Sequence, residues 1–170
     1  SIAKIIQHLI PNSRLVDRWI DHGAWSVLIH MFPDTNIPVV SMSIDISATP
    51  EELFRIGKLL KPLRDQWILI FGNGNIVHNL MQIDWNNVIQ YPWAVEFDKR
   101  IASLIDERNL EALSKYRNWW DITRLAHPSE EHLLPIFSLI GATEKWERVS
   151  HFTPYITLWS LSMRSILWKE

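Results

Sequence analysis

The chain has no cysteine, which removes disulfides, thiolate metal sites and cysteine nucleophiles from its chemistry. Charge of one sign is lacking too. Lys plus Arg total 17 against 19 Asp plus Glu, a formal net charge of −2, so no surface built to neutralise phosphate backbones is expected and nucleic acid is not an expected partner. No apolar run reaches the roughly 18 residues that a membrane helix needs. The opening "SIAKIIQHLIPNS" places Ile2, Ile5, Ile6 and Leu9 at helical spacing and lacks the layout of a secretory signal. These absences read as a soluble, cytoplasmic protein with no membrane partner. Glycine is sparse, five residues in all, and only Gly72 and Gly74 stand close enough together to resemble a phosphate loop.

What is present is a chain of 170 residues, 47% hydrophobic, long enough for one domain with a sizeable core. Thr49-Pro50-Glu51-Glu52 combines an N-cap, a proline at the first helical position and a capping-box glutamate, and predicts a helix from Pro50 to Leu60. The β-branched stretch "IPVVSMSID" (37–45) precedes it and the apolar run "WILIF" (67–71) follows. Strand, helix, strand predicts an α/β fold, a central sheet flanked by helices. Pro92 opens a helix with Trp93, Phe97, Ile101, Leu104 and Ile105 in phase. "PSEEHLLPIFSLIG" predicts another, beginning or bending near His132 because Pro135 removes a backbone donor, and stopping at Gly141. The tail "HFTPYITLWSLSMRSILW" is suited to a final strand. No repeat, low-complexity segment or linker divides the chain.

Three stretches carry chemistry. In "FGNGNIVHNL" (71–80), Val77 occupies the place of the third glycine of a dinucleotide fingerprint, and the Gly-Lys-Ser/Thr of a P-loop is absent. What remains is a turn at the end of a buried strand, where Gly and Asn tolerate positive φ and aim His78 back over the strand end. His78 is either a functional imidazole, suited to proton transfer or metal ligation near neutral pH, or a capping or core histidine. In His127-Pro128-Ser129-Glu130-Glu131-His132, the spacing does not put both histidines on one helical face, so this is no HExxH zinc site. A helix start nevertheless favours a neutral, metal-competent imidazole at His132, with a capped helix start and incidental histidines as the alternative. In Asp21-His22-Gly23-Ala24-Trp25, a turn-like segment, His22 reads as a cap, a surface residue or a site residue. The ten tryptophans serve cores as readily as pockets.

Taken in order, "DHGAW", "IPVVSMSID", "LKPLRDQWILIFGNGNIVHNL", "YPWAVEFD", "AHPSEEHLLPIFSLIGA" and "SLSM" resemble the DODA-type extradiol aromatic ring-opening dioxygenases, from about Val16 to Met163. The resemblance implies a non-haem metal enzyme that opens a catechol-type ring with O2, using Fe(II), with Zn(II) at the same site and no organic cofactor. It implies His132 and His78 as metal residues, with Glu131 as an alternative ligand, and His78 and His22 as catalytic groups. His22, Asn79 and Trp25 would line the substrate pocket, taking a small aromatic diol.

The family's N-terminal metal histidines, in a His-Gly motif and a Ser-x-His-Trp motif after a strand, have no counterpart here. The chain begins at Ser1 inside a helical pattern, and is therefore expected to be the C-terminal two-thirds of such an enzyme, a fragment or processed piece. A non-catalytic interaction or oligomerisation module is the alternative, with a second copy or a complementary N-terminal chain as partner. A metal-dependent hydrolase is the weaker one.

Overall fold

The computed structural model describes residues 1–86 and 90–169. Helix α1 (Ile2–Leu9) and helix α2 (His22–Met31) open the chain, and Asp21 caps α2 by accepting from the Gly23 amide at 3.0 Å. The "DHG" segment is thus the start of a helix where a turn was expected. Helix α3 (Pro50–Leu60) has the expected ends: the Thr49 hydroxyl accepts from Glu52 N at 3.2 Å, and Glu52 accepts from Thr49 N at 2.7 Å. Both bonds satisfy amides that the first helical turn leaves without partners.

After α3 the chain tightens into a 3₁₀ helix (Lys61–Gln66) that ends on Trp67 in the left-handed region, φ 61°. Trp67 is almost fully exposed. Residues 68–73 then run without regular structure, as do residues 36–44. Neither of the strands expected at 37–45 and 67–71 forms, because a strand exists only through a ladder. No main-chain group of residues 36–44 or 69–73 makes a hydrogen bond among the described residues.

Helix α4 (Pro92–Asp106) is the central pillar. Its face of Ala94, Phe97, Ile101 and Ile105 is buried against Leu113, Tyr116 and Ala126 of the following segments, α5 (Leu110–Ser114), a 3₁₀ turn (Tyr116–Trp119) and α6 (Asp121–Ala126). Another 3₁₀ turn (Glu130–His132) leads into α7 (Pro135–Gly141). Pro135 occupies the first turn of α7, where its missing N–H is no loss. The break anticipated near His132 is therefore a separate short turn.

Helices α3 and α7 cross at close range. A Cβ on Gly57 would run into the Ser138 carbonyl, and one on Gly141 into the Phe54 carbonyl. The Ser138 hydroxyl donates to Leu53 O at 3.1 Å across the same contact.

The strands that do form are antiparallel and lie at the C-terminal end, so the fold is α/β with two small sheets. Strand β1 (Arg148–Phe152) pairs with β4 (Ser165–Lys169), Ser150 opposite Leu167, and β2 (Ile156–Thr157) pairs with β3 (Leu161–Ser162). A buried ion pair holds this end to α4: Arg164 donates to Asp98 through Nε at 3.1 Å and Nη2 at 2.6 Å, and Ser162 Oγ donates to Asp98 at 2.6 Å. Among the described residues no helix is long and apolar enough to cross a membrane.

Candidate functional site

The loop between residues 73 and 79 is held in place largely through main-chain groups. Asn75 N donates to His132 O at 2.9 Å, His78 N to Ala126 O at 2.9 Å, and Asn79 N to Ser160 O at 3.1 Å. Ser162 N donates back to Val77 O at 2.9 Å, and the Asn75 amide donates to Ser162 O at 2.6 Å. The glycines serve approach and not handedness. No described glycine has positive φ, but a Cβ on Gly74 would meet the His132 carbonyl and one on Gly72 the Leu139 side chain. The expected left-handed turn is replaced by close contact of two backbones.

This contact brings together two histidines 54 positions apart in the chain, His78 and His132. Their rings stack with centroids 3.6 Å apart at 21°. Both are partly buried, and no other side chain hydrogen-bonds the His78 ring among the described residues. Burial holds the His78 pKa below its ordinary value, and the neighbouring His132 lowers it further. His78 is thus a neutral imidazole near pH 7, free to accept a proton.

Glu131 lies beside the pair, its Oε1 3.8 Å from His132 Nε2. Burial pushes its carboxyl upward, but its own backbone amide, the Ser129 hydroxyl at 2.8 Å and the two histidines outweigh that and leave it lowered. Glu130 faces the other way. Arg117 grips it with Nε at 2.9 and 3.1 Å and Nη2 at 2.7 Å, which holds its carboxyl low and anchors the turn that carries His132.

His22 sits at the first turn of α2, exposed, with Nδ1 3.3 Å from Asp21. The turn approaches the site loop through Gly23, whose missing Cβ leaves room for the Asn73 amide. Trp25, one turn on, is half exposed. Asn79 is buried, donating to Leu125 O at 2.7 Å and accepting from Met81 N at 3.0 Å. Its amide is engaged by backbone on both sides, so it shapes the loop. The sequence assigns His127 no role beyond that of an incidental histidine ahead of His132. This ring is 4% exposed, its Nε2 donates to Ile76 O at 2.5 Å, and its Nδ1 has no partner among the described residues. Burial pulls its pKa down to about 4. The signal available was only its place five residues before His132.

Beside the loop opens an apolar cavity of about 670 Å³, walled by residues 67–76, Ile136 and Leu139 of α7, and residues 164–168, with His132 at its edge. Imidazole and carboxylate donors suit Fe(II) or Zn(II). Among the described residues, however, no three histidine, aspartate or glutamate side chains cluster closely enough to hold an ion. The residues present fit a share of a coordination shell and do not fit a whole one.

The chain is similar along nearly its whole length to known proteins. Residues 2–162 match the family model described as the catalytic LigB subunit of aromatic ring-opening dioxygenase. The 4,5-DOPA dioxygenase extradiol of Escherichia coli K12 is 34% identical over 169 residues, which cover 96% of this chain and 62% of that protein. The enzyme of the same name from Mirabilis jalapa is 30% identical, with 85% of this chain and 56% of that one covered. The crystal structure of an uncharacterized protein from Escherichia coli K12 superimposes with a TM-score of 0.88 at 33% identity, covering 98% of this chain and 71% of that one. The chain therefore spans a little over half the length of the curated relatives it matches.

Proposed function

The chain belongs to the family of the catalytic LigB subunit of aromatic ring-opening dioxygenases, and from that premise we propose that it carries the proton-handling side of an extradiol dioxygenase site. The substrate would be a catechol-type diol and the oxidant O2. The observation that carries the reading is the stacked pair of His78 and His132 beside Glu131.

In this reading His78 is the acid and base. Its neutral ring takes a proton from a catechol hydroxyl, and the imidazolium so formed lies close enough to Glu131 for the carboxylate to favour it. His132 is the metal ligand and Glu131 the alternative one, with Fe(II), or Zn(II) in its place, held jointly with donors outside the described residues. His22 and Trp25 lie on α2, which meets the loop where Gly23 approaches Asn73, and Asn79 sets the loop. The apolar cavity wall receives the aromatic ring.

The test is O2 uptake by the purified chain combined with a complementary chain that supplies the remaining metal donors, given Fe(II) and DOPA, the diol in its relatives' names. Uptake with a yellow ring-opened product is expected. It should fall at least about 100-fold in His78→Ala, the scale of a lost general acid or base. Unchanged turnover in that variant would end the assignment of His78.

A second reading, an interaction module, is favoured by one feature. Segments 36–44 and 69–73 leave Ile37, Val39, Val40, Met42, Leu69 and Phe71 exposed beside main-chain groups that make no hydrogen bond among the described residues. Such segments can accept strands from a second copy or from a complementary chain. A stable dimer by light scattering, with no O2 uptake with any catechol, would favour this reading over the enzyme.

A further inference from the structure

We propose that His127 is a positioning residue, one that fixes the loop carrying His78 against the segment carrying His132. The inference rests on the reading of His78 and His132 as the working pair.

Two adjacent residues grip the loop in opposite senses. Ala126 O accepts from the His78 amide at 2.9 Å, and His127 Nε2 donates to the Ile76 carbonyl at 2.5 Å. The gripped groups lie two residues apart on the loop, and the gripping groups are neighbours in sequence. The pattern is that of one rung of a sheet, with an imidazole standing in for a backbone amide. Ile76 is buried, and its carbonyl has no other hydrogen-bond donor among the described residues. Without His127 a buried acceptor is orphaned within the loop, two residues from His78.

A space-filling role would be met better by an apolar side chain. The ring packs near Phe97, with centroids 5.6 Å apart, and its Nδ1 is buried with no partner. An unsatisfied buried nitrogen is destabilising, because it loses its water without gaining a partner. Leucine would fill the volume without that cost but could not hold Ile76 O. What the imidazole adds is therefore the donor at Nε2, and with it the register of the loop.

The test compares His127→Leu, His127→Gln and His127→Asn. Glutamine can place an amide donor near the position of Nε2, whereas asparagine reaches only as far as Nδ1. Rings stacked face to face shift each other's ring proton signals upfield, so the histidine C–H resonances of His78 and His132 report the pairing directly by NMR, without any reaction. In Leu and Asn variants both resonances are expected to move toward the values of free histidine, and in Gln to remain near the parent's. With DOPA and Fe(II), kcat should fall by about 10-fold or more in Leu and Asn with KM little changed, the scale of a misplaced group, and Gln should recover most of it. A folded Leu variant with unshifted resonances would overturn the proposal. If Leu does not fold, Gln and Asn decide, and identical ring signals in the two would overturn it equally. Should the parent chain take up no O2 at all, the proposed activity fails while the ring signals still decide the role of His127.

Discussion

At the scale of residues, burial keeps two histidines of the site, His78 and His127, neutral. Burial draws His127 down to about 4, with His78 and His132 nearby adding to the effect and the Ile76 carbonyl and Glu130 opposing it. In the unfolded chain the same ring titrates near 6.5. Between those values the unfolded chain takes up a proton that the folded one refuses. Stability is therefore complete above about pH 6.5 and falls as pH drops toward 4, by up to roughly 3 kcal/mol. His78, lowered by burial, acts in the same direction. Denaturant unfolding at pH 7.5, 6, 5 and 4.5 should show that decline, and His127→Gln should flatten it; an unaltered slope would place the acid sensitivity elsewhere. His78 was legible in the sequence because a Gly-Asn turn after an apolar run leads directly to it. His127 was not, because its partner Ile76 lies 51 positions away and no local pattern reports a contact of that range.

At the scale of elements, helices were legible where end signals and periodicity agreed. Thr49, Pro50 and Glu52 fix the start of α3 through contacts within four residues, and the structure reproduces them. Strands were less so. The β-branched character of residues 37–45 and the apolar run of 67–71 describe surfaces that suit a sheet, but a ladder depends on a neighbour that local composition does not name. The crossing of α3 and α7 was also hidden, since only their meeting shows why Gly57 and Gly141 are small. It makes a prediction in which two effects oppose. Gly57→Ala gains about 1 kcal/mol of helix propensity, yet its methyl meets the Ser138 carbonyl, main chain that cannot swing aside. Overpacking of about 1–3 kcal/mol should prevail, so a lowered melting temperature is expected. A raised one would show that the two helices can separate at little cost, and with them the turn that carries His132.

At the scale of the whole molecule, the chain divides into a packed half and an open one. The core centred on Phe97, Ile101, Leu113, Tyr116 and Leu134 is almost inaccessible to solvent, while residues 14–20 and 36–44 are largely exposed and residues 68–73 alternate between exposed and half-buried. Amide hydrogen exchange should follow that division. Amides of α4 are expected to exchange slowest, and those of residues 36–44 and 69–73 within the first seconds. Strong protection of the extended segments in the isolated chain at low concentration would show that they pair within it. The α/β class was legible from the alternation of apolar stretches with a capped helix, whereas the meeting of His78 and His132 was expected only from the family resemblance, because no local pattern reports it. The sheet's extent was not, for the reason that governs its strands. The way the site loop is fastened has a consequence for how such a protein can change over time. Four of its ties join main chain to main chain, from Asn75 to His132, His78 to Ala126, Asn79 to Ser160 and Ser162 to Val77. Ties of that kind are blind to side-chain identity, so wall residues such as Leu69 and Ile136 can mutate without loosening the frame, whereas Gly74, Asn75 and Arg164 cannot. The architecture is evolvable in its choice of ring while conservative in where it puts its two imidazoles.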